Sequence, residues 1–260
     1  MTKKIGEVIL DVNNISLRFG GVKALTDISF NVKEHEIRAI IGPNGAGKSS
    51  MLNCINGVYT PQEGSITFRG QTFDHMDSRQ VAEMGVARTF QNLALFKGMS
   101  VIDNIMTGRN LRMKSNIFLQ ALRIGPAENE EIKHRARVEE IIDFLEIQAF
   151  RKTPVGQLPY GLQKRVDLGR ALAMRPKVLI LDEPMAGMNI EEKSDLARYI
   201  LDIKDGRQIS VILVEHDMDV VMDISDRIVV MEWGTTIAQG APEAVRTNPR
   251  VISAYLGLEE

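Results

Sequence analysis

At 260 residues and 44% hydrophobic, the chain is long enough to bury a substantial core, and 32 Lys plus Arg against 34 Asp plus Glu leave a formal charge of −2, which excludes a general attraction to nucleic acid or acidic lipid. The single cysteine, Cys54, excludes a disulfide within the chain and suits a reducing compartment. No run approaches the ~18 apolar residues of a membrane span, and residues 1–6 lack the apolar stretch of a signal peptide, so a role at a membrane needs other chains to cross it.

Residues 7–19 alternate through Val8, Leu10, Val12, Ile15, Leu17 and Phe19, which predicts a half-buried strand. Phe19 reads first as a core aromatic; the alternative is a ring that stacks on a nucleobase. Gly20-Gly21 breaks the strand, and Leu25, Ile28, Phe30 and Val32 predict a second. Ile37 to Ile41 reads as a short buried strand and Ser50 to Asn56 as a helix. Between them, Gly42-Pro43-Asn44-Gly45-Ala46-Gly47-Lys48-Ser49 fits G-x-x-x-x-G-K-[ST], the P-loop. Its glycines let successive N–H groups point into one anion-sized hollow. The following helix start, with Ser50, adds unpaired N–H groups and a positive dipole end. Lys48 then supplies charge to the β- and γ-phosphates, and the Ser49 hydroxyl is a Mg²⁺ ligand. Ser65 to Phe68 predicts an edge strand, giving a small antiparallel sheet beside the nucleotide core.

Residues 76–87 suit a short helix ending near Gly85, and Val86 to Gln91 a strand that ends in an amide. Leu93 to Phe96 is an apolar loop, either tucked under the domain or kept for a partner. Residues 101–157 contain no convincing strand: Val101 to Met106, Asn116 to Arg123 and Glu128 to Ile147 read as helices. In the last of these Val138, Ile141, Ile142 and Leu145 share one face. Its basic stretch, Lys133, His134, Arg135 and Arg137, reads as a solvated face, and His35, His75 and His134 are assigned no role. Leu158 to Gln163 reads as a turn and Lys164 to Met174 as a helix stopped by Pro176.

Val178 to Leu181 is a continuous apolar run, as a central parallel strand should be. It ends in Asp182-Glu183. A P-loop implies such a strand end, with Asp182 holding Mg²⁺ through its water shell and Glu183 placed to take a proton from an attacking water. Residues 190–204 predict an amphipathic helix, and Ser210 to Glu215 a buried strand delivering His216 to the edge where ligands bind in open α/β sheets. Strands over Ile228 to Met231 and Thr235 to Ala238 follow. Two short helices close the chain, the last docked by Val251, Ile252, Tyr255 and Leu256.

In this order the elements resemble the nucleotide-binding subunit of an ATP-binding-cassette (ABC) transporter, over essentially the whole chain: the P-loop, the Q-loop Gln91, the signature Leu158 to Gln163, Asp182-Glu183, the D-loop Ala186 to Asn189 and the switch His216. The family's signature usually reads L-S-G-G-Q; here Pro159 replaces the serine. The Tyr160-Gly161 pair, the stretch Ala87 to Leu93, the ending Ala254 to Gly257 and the long helical insert are similar to the larger ATPase of branched-chain amino acid importers. Importers of urea and short amides look similar. A soluble ATPase of the family would usually carry two cassettes or a long coiled-coil insert, and neither is present.

The resemblance implies an α/β fold, a P-loop NTPase core with an antiparallel β subdomain and an inserted α-helical subdomain. One domain would span 1–260: core and β subdomain in 1–91 and 158–240, helical insert in 92–157 leading to the signature turn, and C-terminal helices in 241–260. It further implies ATP and Mg²⁺, with Phe19 on adenine and residues Gly42 to Ser50 around the phosphates. Tyr160, Gly161, Leu162 and Gln163 would cap the ATP of a second ATP-binding subunit, identical or related. Ser49, Gln91 and Asp182 would hold the metal; Glu183, His216, Lys48 and Gln91 would carry catalysis. The implied partners are transmembrane permease subunits, docked by Leu93 to Phe96 and the insert, and indirectly a periplasmic solute-binding protein, with no nucleic acid. The implied location is peripheral, on the cytoplasmic face of the inner membrane.

Overall fold

The computed structural model describes residues 5–73, 76–89, 91, 93–112 and 126–256. β1 (Val8–Phe19) and β2 (Val22–Lys33) pair as a hairpin across Gly20-Gly21. β3 (Ile37–Ile41) runs into the glycine loop and α1 (Lys48–Ile55). β4 (Glu63–Phe68) and β5 (Gln71–Thr72) complete an antiparallel sheet in the order β2-β1-β4-β5, so the two-residue β5 rather than β4 forms that edge.

α2 (Ser78–Met84) starts in an Asp77–Gln80 capping box and stops at Gly85, whose φ of 113° takes the chain into β6 (Val86–Arg88). β6 is shorter than predicted. It borders the sheet with one neighbour, and pairing ends with the Thr89 N–H donating to Ile180 O. Gln91 therefore lies beyond the strand, in a bend. The helices α3 (Val101–Thr107), α4 (Pro126–Phe144) and α5 (Tyr160–Ala173) follow. The helix predicted over Asn116 to Arg123 lies outside the described residues. α4 stops at Phe144, short of Ile147, and Glu146 takes a left-handed φ of 57°.

α5 corrects another expectation. Leu158 to Gln163 is not a free turn, because helix begins at Tyr160 with Pro159 as its N-cap. Proline at a helix start loses no intrahelical hydrogen bond, so the helix extends one turn further back than its apolar pattern suggests.

β7 (Val178–Asp182), α6 (Ile190–Asp205), β8 (Ser210–Val214), α7 (Met218–Ile224), β9 (Arg227–Glu232), β10 (Thr235–Gly240), α8 (Pro242–Arg246) and α9 (Pro249–Leu256) complete the chain. The second sheet runs β10-β9-β3-β8-β7-β6, antiparallel only between β9 and β10. Every residue of β3, β7 and β8 is buried. Alternation then divides their side chains between two cores. Val178, Ile180, Ile212 and Val214 face α1 and the antiparallel sheet; Leu179, Leu181, Val211 and Leu213 face α3, α4, α5 and α6. The signature helix α5 thus shares its core with the inserted helices. On α9, Val251 is buried and Tyr255 hydrogen-bonds the Gly42 backbone, while Ile252 is 45% exposed, so two of the named residues dock it; the Leu256 side chain lies outside the described residues.

The apolar loop divides as well. Leu95 packs on the helical core, while Phe96 is 55% exposed. The loop is shaped by Asn104 of α3, which is fully buried. Its Oδ1 accepts from the Phe96 N–H at 2.9 Å, and its Nδ2 donates to Phe96 O at 3.0 Å, Met99 O at 3.2 Å and Ser100 O at 3.0 Å. Leucine is similar in size but leaves these backbone groups without their partner. Asn104→Leu should lower the unfolding free energy by about 1–3 kcal/mol, measured by urea denaturation; an unchanged midpoint would show that water replaces the amide.

Candidate functional site

The glycine loop leaves β3 under two steric demands. Gly42 has φ 149°, and a Cβ there would stand 2.0 Å from Met231 O, so no side chain fits. Gly45, at φ 83°, has nothing within 4 Å of an ideal Cβ, and its open side faces outward. Asn44 and Ser49 are exposed, Pro43, Gly47 and Ser50 half-buried, and Ala46 buried. The loop is pinned from behind: Gly234 N–H donates to Ala46 O at 3.1 Å and Thr26 N–H to Gly234 O at 2.8 Å. α1 begins after Gly47 with no side-chain cap and no acidic residue in its first turn. Its first N–H groups are therefore left for an anion. Lys48 Nζ donates to Gly42 O at 2.7 Å and Pro43 O at 3.0 Å. Burial lowers its pKa, and Glu183 and Asp182 oppose that shift.

Those carboxylates come from the end of β7, which β8 separates from β3. Asp182 is buried and accepts from Arg88 Nη2 at 2.8 Å, while Arg88 Nη1 donates to Asn53 Oδ1 on α1 at 2.7 Å. Glu183 has a left-handed φ of 47°, and its N–H donates to Val214 O at 2.9 Å. A non-glycine residue in that region carries strain and persists where neighbours hold it. Gln91 Nε2 donates to Glu183 Oε2 at 2.6 Å. Buried Lys164 of α5 donates to Gln91 O at 3.3 Å and Glu183 O at 3.5 Å.

Glu215 closes the arrangement from β8, which ends one residue before it. It is 1% exposed. Its Oε1 accepts from Met185 N–H at 2.8 Å and its Oε2 from His216 N–H at 3.2 Å, so one carboxylate ties the segment after Glu183 to the backbone of His216. His216 itself is exposed, with Nδ1 3.8 Å from Glu215 Oε2.

The structure brings Lys48, Gln91, Asp182 and Glu183 together and sets His216 at the end of the adjacent strand. Phe19 is exposed, with its ring edge-on to Tyr59 at 5.0 Å between centroids, so one face has room for a flat ligand. Tyr160 to Gln163 lie apart from the glycine loop, with no hydrogen bond to it among the described residues. The Tyr160 ring lies against Gly187, and the Glu192 carboxylate fills the space where a Gly161 Cβ would stand. Leu162 packs on the helical core, and Gln163 Nε2 donates to Leu158 O at 2.8 Å. Arg88, Lys164 and Glu215 were not singled out from sequence. Each acts through a partner at least 19 positions away or through a backbone group, and no local pattern signals that.

Burial pushes the Glu215 carboxyl above its ordinary value of 4.5, against the pull of its two N–H donors. An acid raised by folding binds its proton more tightly in the folded state. It therefore costs stability as pH rises above 4.5. Glu215→Gln removes that titration, so the stability of the variant relative to the parent should improve between pH 4.5 and neutrality. Melting temperatures of both proteins across that range test this, and a constant difference would contradict it.

A family model described as ABC transporter matches residues 25–186, and one described as Branched-chain amino acid ATP-binding cassette transporter matches residues 235–260. The chain is 40% identical over 256 residues to the high-affinity branched-chain amino acid transport ATP-binding protein LivG of Salmonella typhimurium, covering 97% of this chain and 99% of that one. It is also 40% identical over 253 residues to BraF of Pseudomonas aeruginosa, a protein with the same description, covering 96% and 98%. Among solved structures, a nucleotide-free ATP-binding cassette from an ABC transporter matches with a TM-score of 0.84 at 30% identity, covering 97% of this chain and all of that one. An uncapped glycine loop facing a strand-end carboxylate pair, on a chain with these relatives, leads to one assignment: it belongs to the ATP-binding cassettes of ABC transporters.

Proposed function

We propose that this chain binds and hydrolyses ATP for an importer of branched-chain amino acids, whose separate transmembrane permease subunits carry the solute. The convergence of Lys48, Gln91, Asp182 and Glu183 on the open side of the glycine loop carries the hydrolytic part of this reading. Full-length similarity to LivG and BraF, extending through the C-terminal segment, supports the solute class.

The chemistry follows from charge. ATP would lay its phosphates against Gly42 to Ser50 and the free N–H groups of α1, with adenine on the open face of Phe19. Lys48 would exchange its carbonyl partners for β- and γ-phosphate oxygens, a charge-assisted gain. Glu183 would orient an in-line water and take its proton. Gln91, already bonded to Glu183, would relay the site's state toward the permease. His216 would donate to the γ-phosphate and so distinguish ATP from ADP.

The donors also suit Mg²⁺. The Ser49 hydroxyl is exposed, Gln91 offers an amide oxygen, and Asp182 has one carboxylate oxygen beyond the one Arg88 holds; these are hard oxygen ligands. Bound there, the ion would neutralise charge on the phosphate oxygens.

Because Tyr160 to Gln163 do not reach their own glycine loop, they would cap the ATP of a second ATP-binding subunit, identical or related. ATP would then shift the pair toward closure and hydrolysis would release it. Exposed Phe96, in the apolar loop that follows Gln91, would dock the permease. A periplasmic solute-binding protein would act indirectly, and the chain would sit peripherally on the cytoplasmic face of the inner membrane.

Glu183→Gln should retain ATP binding, followed through the fluorescence of Trp233, the chain's one tryptophan, and lose on the order of 10²–10⁴ in turnover. Hydrolysis within threefold of the parent, ~3 against a predicted factor of at least 100, would remove Glu183 from the base role. Phe96→Asp should leave ATP binding intact and abolish co-purification with the permease subunits; normal assembly would return Phe96 to an ordinary surface residue. Leucine uptake in a deletion strain, compared with urea and short amides, tests the solute.

A further inference from the structure

Away from the glycine loop, at the opposite end of β7, the core and the helical region enclose a cleft of about 860 Å³. Its walls gather Arg69 from the turn after β4, Arg112 from the segment after α3, Lys133 from α4, and Arg175 and Lys177 from the connection between α5 and β7. The two carboxylates among its lining residues are already paired: Glu83 with Arg79 at 2.9 Å, Glu140 with Arg137 at 2.7 Å. The five cations named have no carboxylate partner among the described residues.

The floor is Arg109, which is only 4% exposed. Its Nε donates to His134 Nδ1 at 2.8 Å and its Nη1 donates to Ala173 O. A ring nitrogen that accepts a hydrogen bond carries no proton, and burial, with Arg109 beside it, lowers the His134 pKa, so His134 is a neutral partner. The charged groups that act on Arg109 are Arg175, Arg112 and Arg137, all cations, and they add to the effect of burial in lowering its pKa. A guanidinium does not shed its proton in a protein. Carbonyls at the end of α5 offer Arg109 and Arg112 a partial negative dipole, about half a charge, against several full positive ones. A solvated basic face, the reading of Lys133 to Arg137 from sequence, would leave its cations in water. Here one is buried under others; the Glu130 carboxylate lies behind His134, 3.7 Å from its Nε2, and among the described residues none pairs with Arg109 itself, which is costly unless an anion enters.

We propose that this cleft binds a phosphate group, carried by a soluble anion or by a lipid headgroup, with Arg109 as its buried anchor. Phosphate suits the site because several of its oxygens can accept from guanidinium forks and ammonium groups at once. The volume lies within the range of small-molecule sites, so the group can bring an attached moiety with it. Lys177 and Asp182 stand at opposite ends of β7, so the cleft can fill while ATP occupies the glycine loop. The proposal does not depend on which solute is transported.

The test uses the full chain in a Lys48→Ala background, which weakens the glycine loop for phosphate, and two probes. One is inorganic pyrophosphate, followed by calorimetry. The other is phosphatidylcholine vesicles containing phosphatidic acid, followed by co-sedimentation against phosphatidylcholine alone. Arg109→Gln risks misfolding, so the cleft variant is Arg175→Gln with Lys177→Gln, both exposed and outside the ATP site. Saturable binding to at least one probe should persist at physiological ionic strength and weaken by about 10-fold or more in the cleft variant. The cleft variant, made with Lys48 intact, should keep parental ATPase activity. Pyrophosphate binding alone identifies a soluble ligand, and vesicle binding alone a headgroup. Equal affinity in parent and cleft variant, binding that requires Lys48, or no saturable binding to either probe would overturn the proposal.

Discussion

Parallel pairing of β3, β8 and β7 sets the geometry on which the site depends. Ile40 stands opposite Val214, and Val214 opposite Asp182, so three strands end at one edge within a residue of each other. Parallel strands bury both faces and place all their carboxyl ends on the same side. Each strand hands a different chemistry to that edge: the glycine loop after β3, Glu183 after β7, Glu215 and His216 after β8. The sheet thereby converts positions 42, 183 and 216 into one locus. A slip of two residues in either pairing would keep the apolar faces buried and yet displace a strand end by roughly 7 Å.

Charge organises the same edge. Lys48 rests on loop carbonyls, Asp182 on Arg88, and Glu183 on Gln91. On the proposed reading, phosphate oxygens would replace the carbonyls at Lys48 and a metal would compete for the carboxylates, so binding would exchange partners rather than order the chain. Backbone contacts hold the frame during that exchange: Glu215 grips the N–H groups of Met185 and His216, and Glu183 keeps its strained φ because Val214 O anchors its N–H.

Arg109 presents the reverse situation. In the ATP site every charged group has an internal partner, whereas in the cleft behind β7 positive charge accumulates around a buried guanidinium. An overall formal charge of −2 conceals this, because net charge sums over the sequence while potential depends on which side chains converge.

The sequence by itself determined what backbone chemistry encodes locally. Glycines at 42, 45 and 47, followed by lysine and serine, specify an anion cradle at a helix start, and a wholly apolar run ending in Asp182-Glu183 specifies a central strand delivering carboxylates. Strand alternation also located the antiparallel sheet. Helix starts were less legible: Pro159 read as a turn residue, yet a proline cap is equally compatible with helix from Tyr160. Burial at α9 was legible only in part, since periodicity shows that Val251, Ile252 and Tyr255 are apolar but not that Val251 and Tyr255 meet neighbours while Ile252 stays exposed. Tertiary structure alone decided the roles of Arg88, Lys164, Glu215 and Arg109. Arg88 meets Asp182 and Asn53, Lys164 meets Gln91 and Glu183, Glu215 holds Met185, and Arg109 is surrounded by cations from separate segments. These interactions join residues tens of positions apart, and a long-range contact leaves no periodicity in the chain because it exists only once the strands and helices have packed.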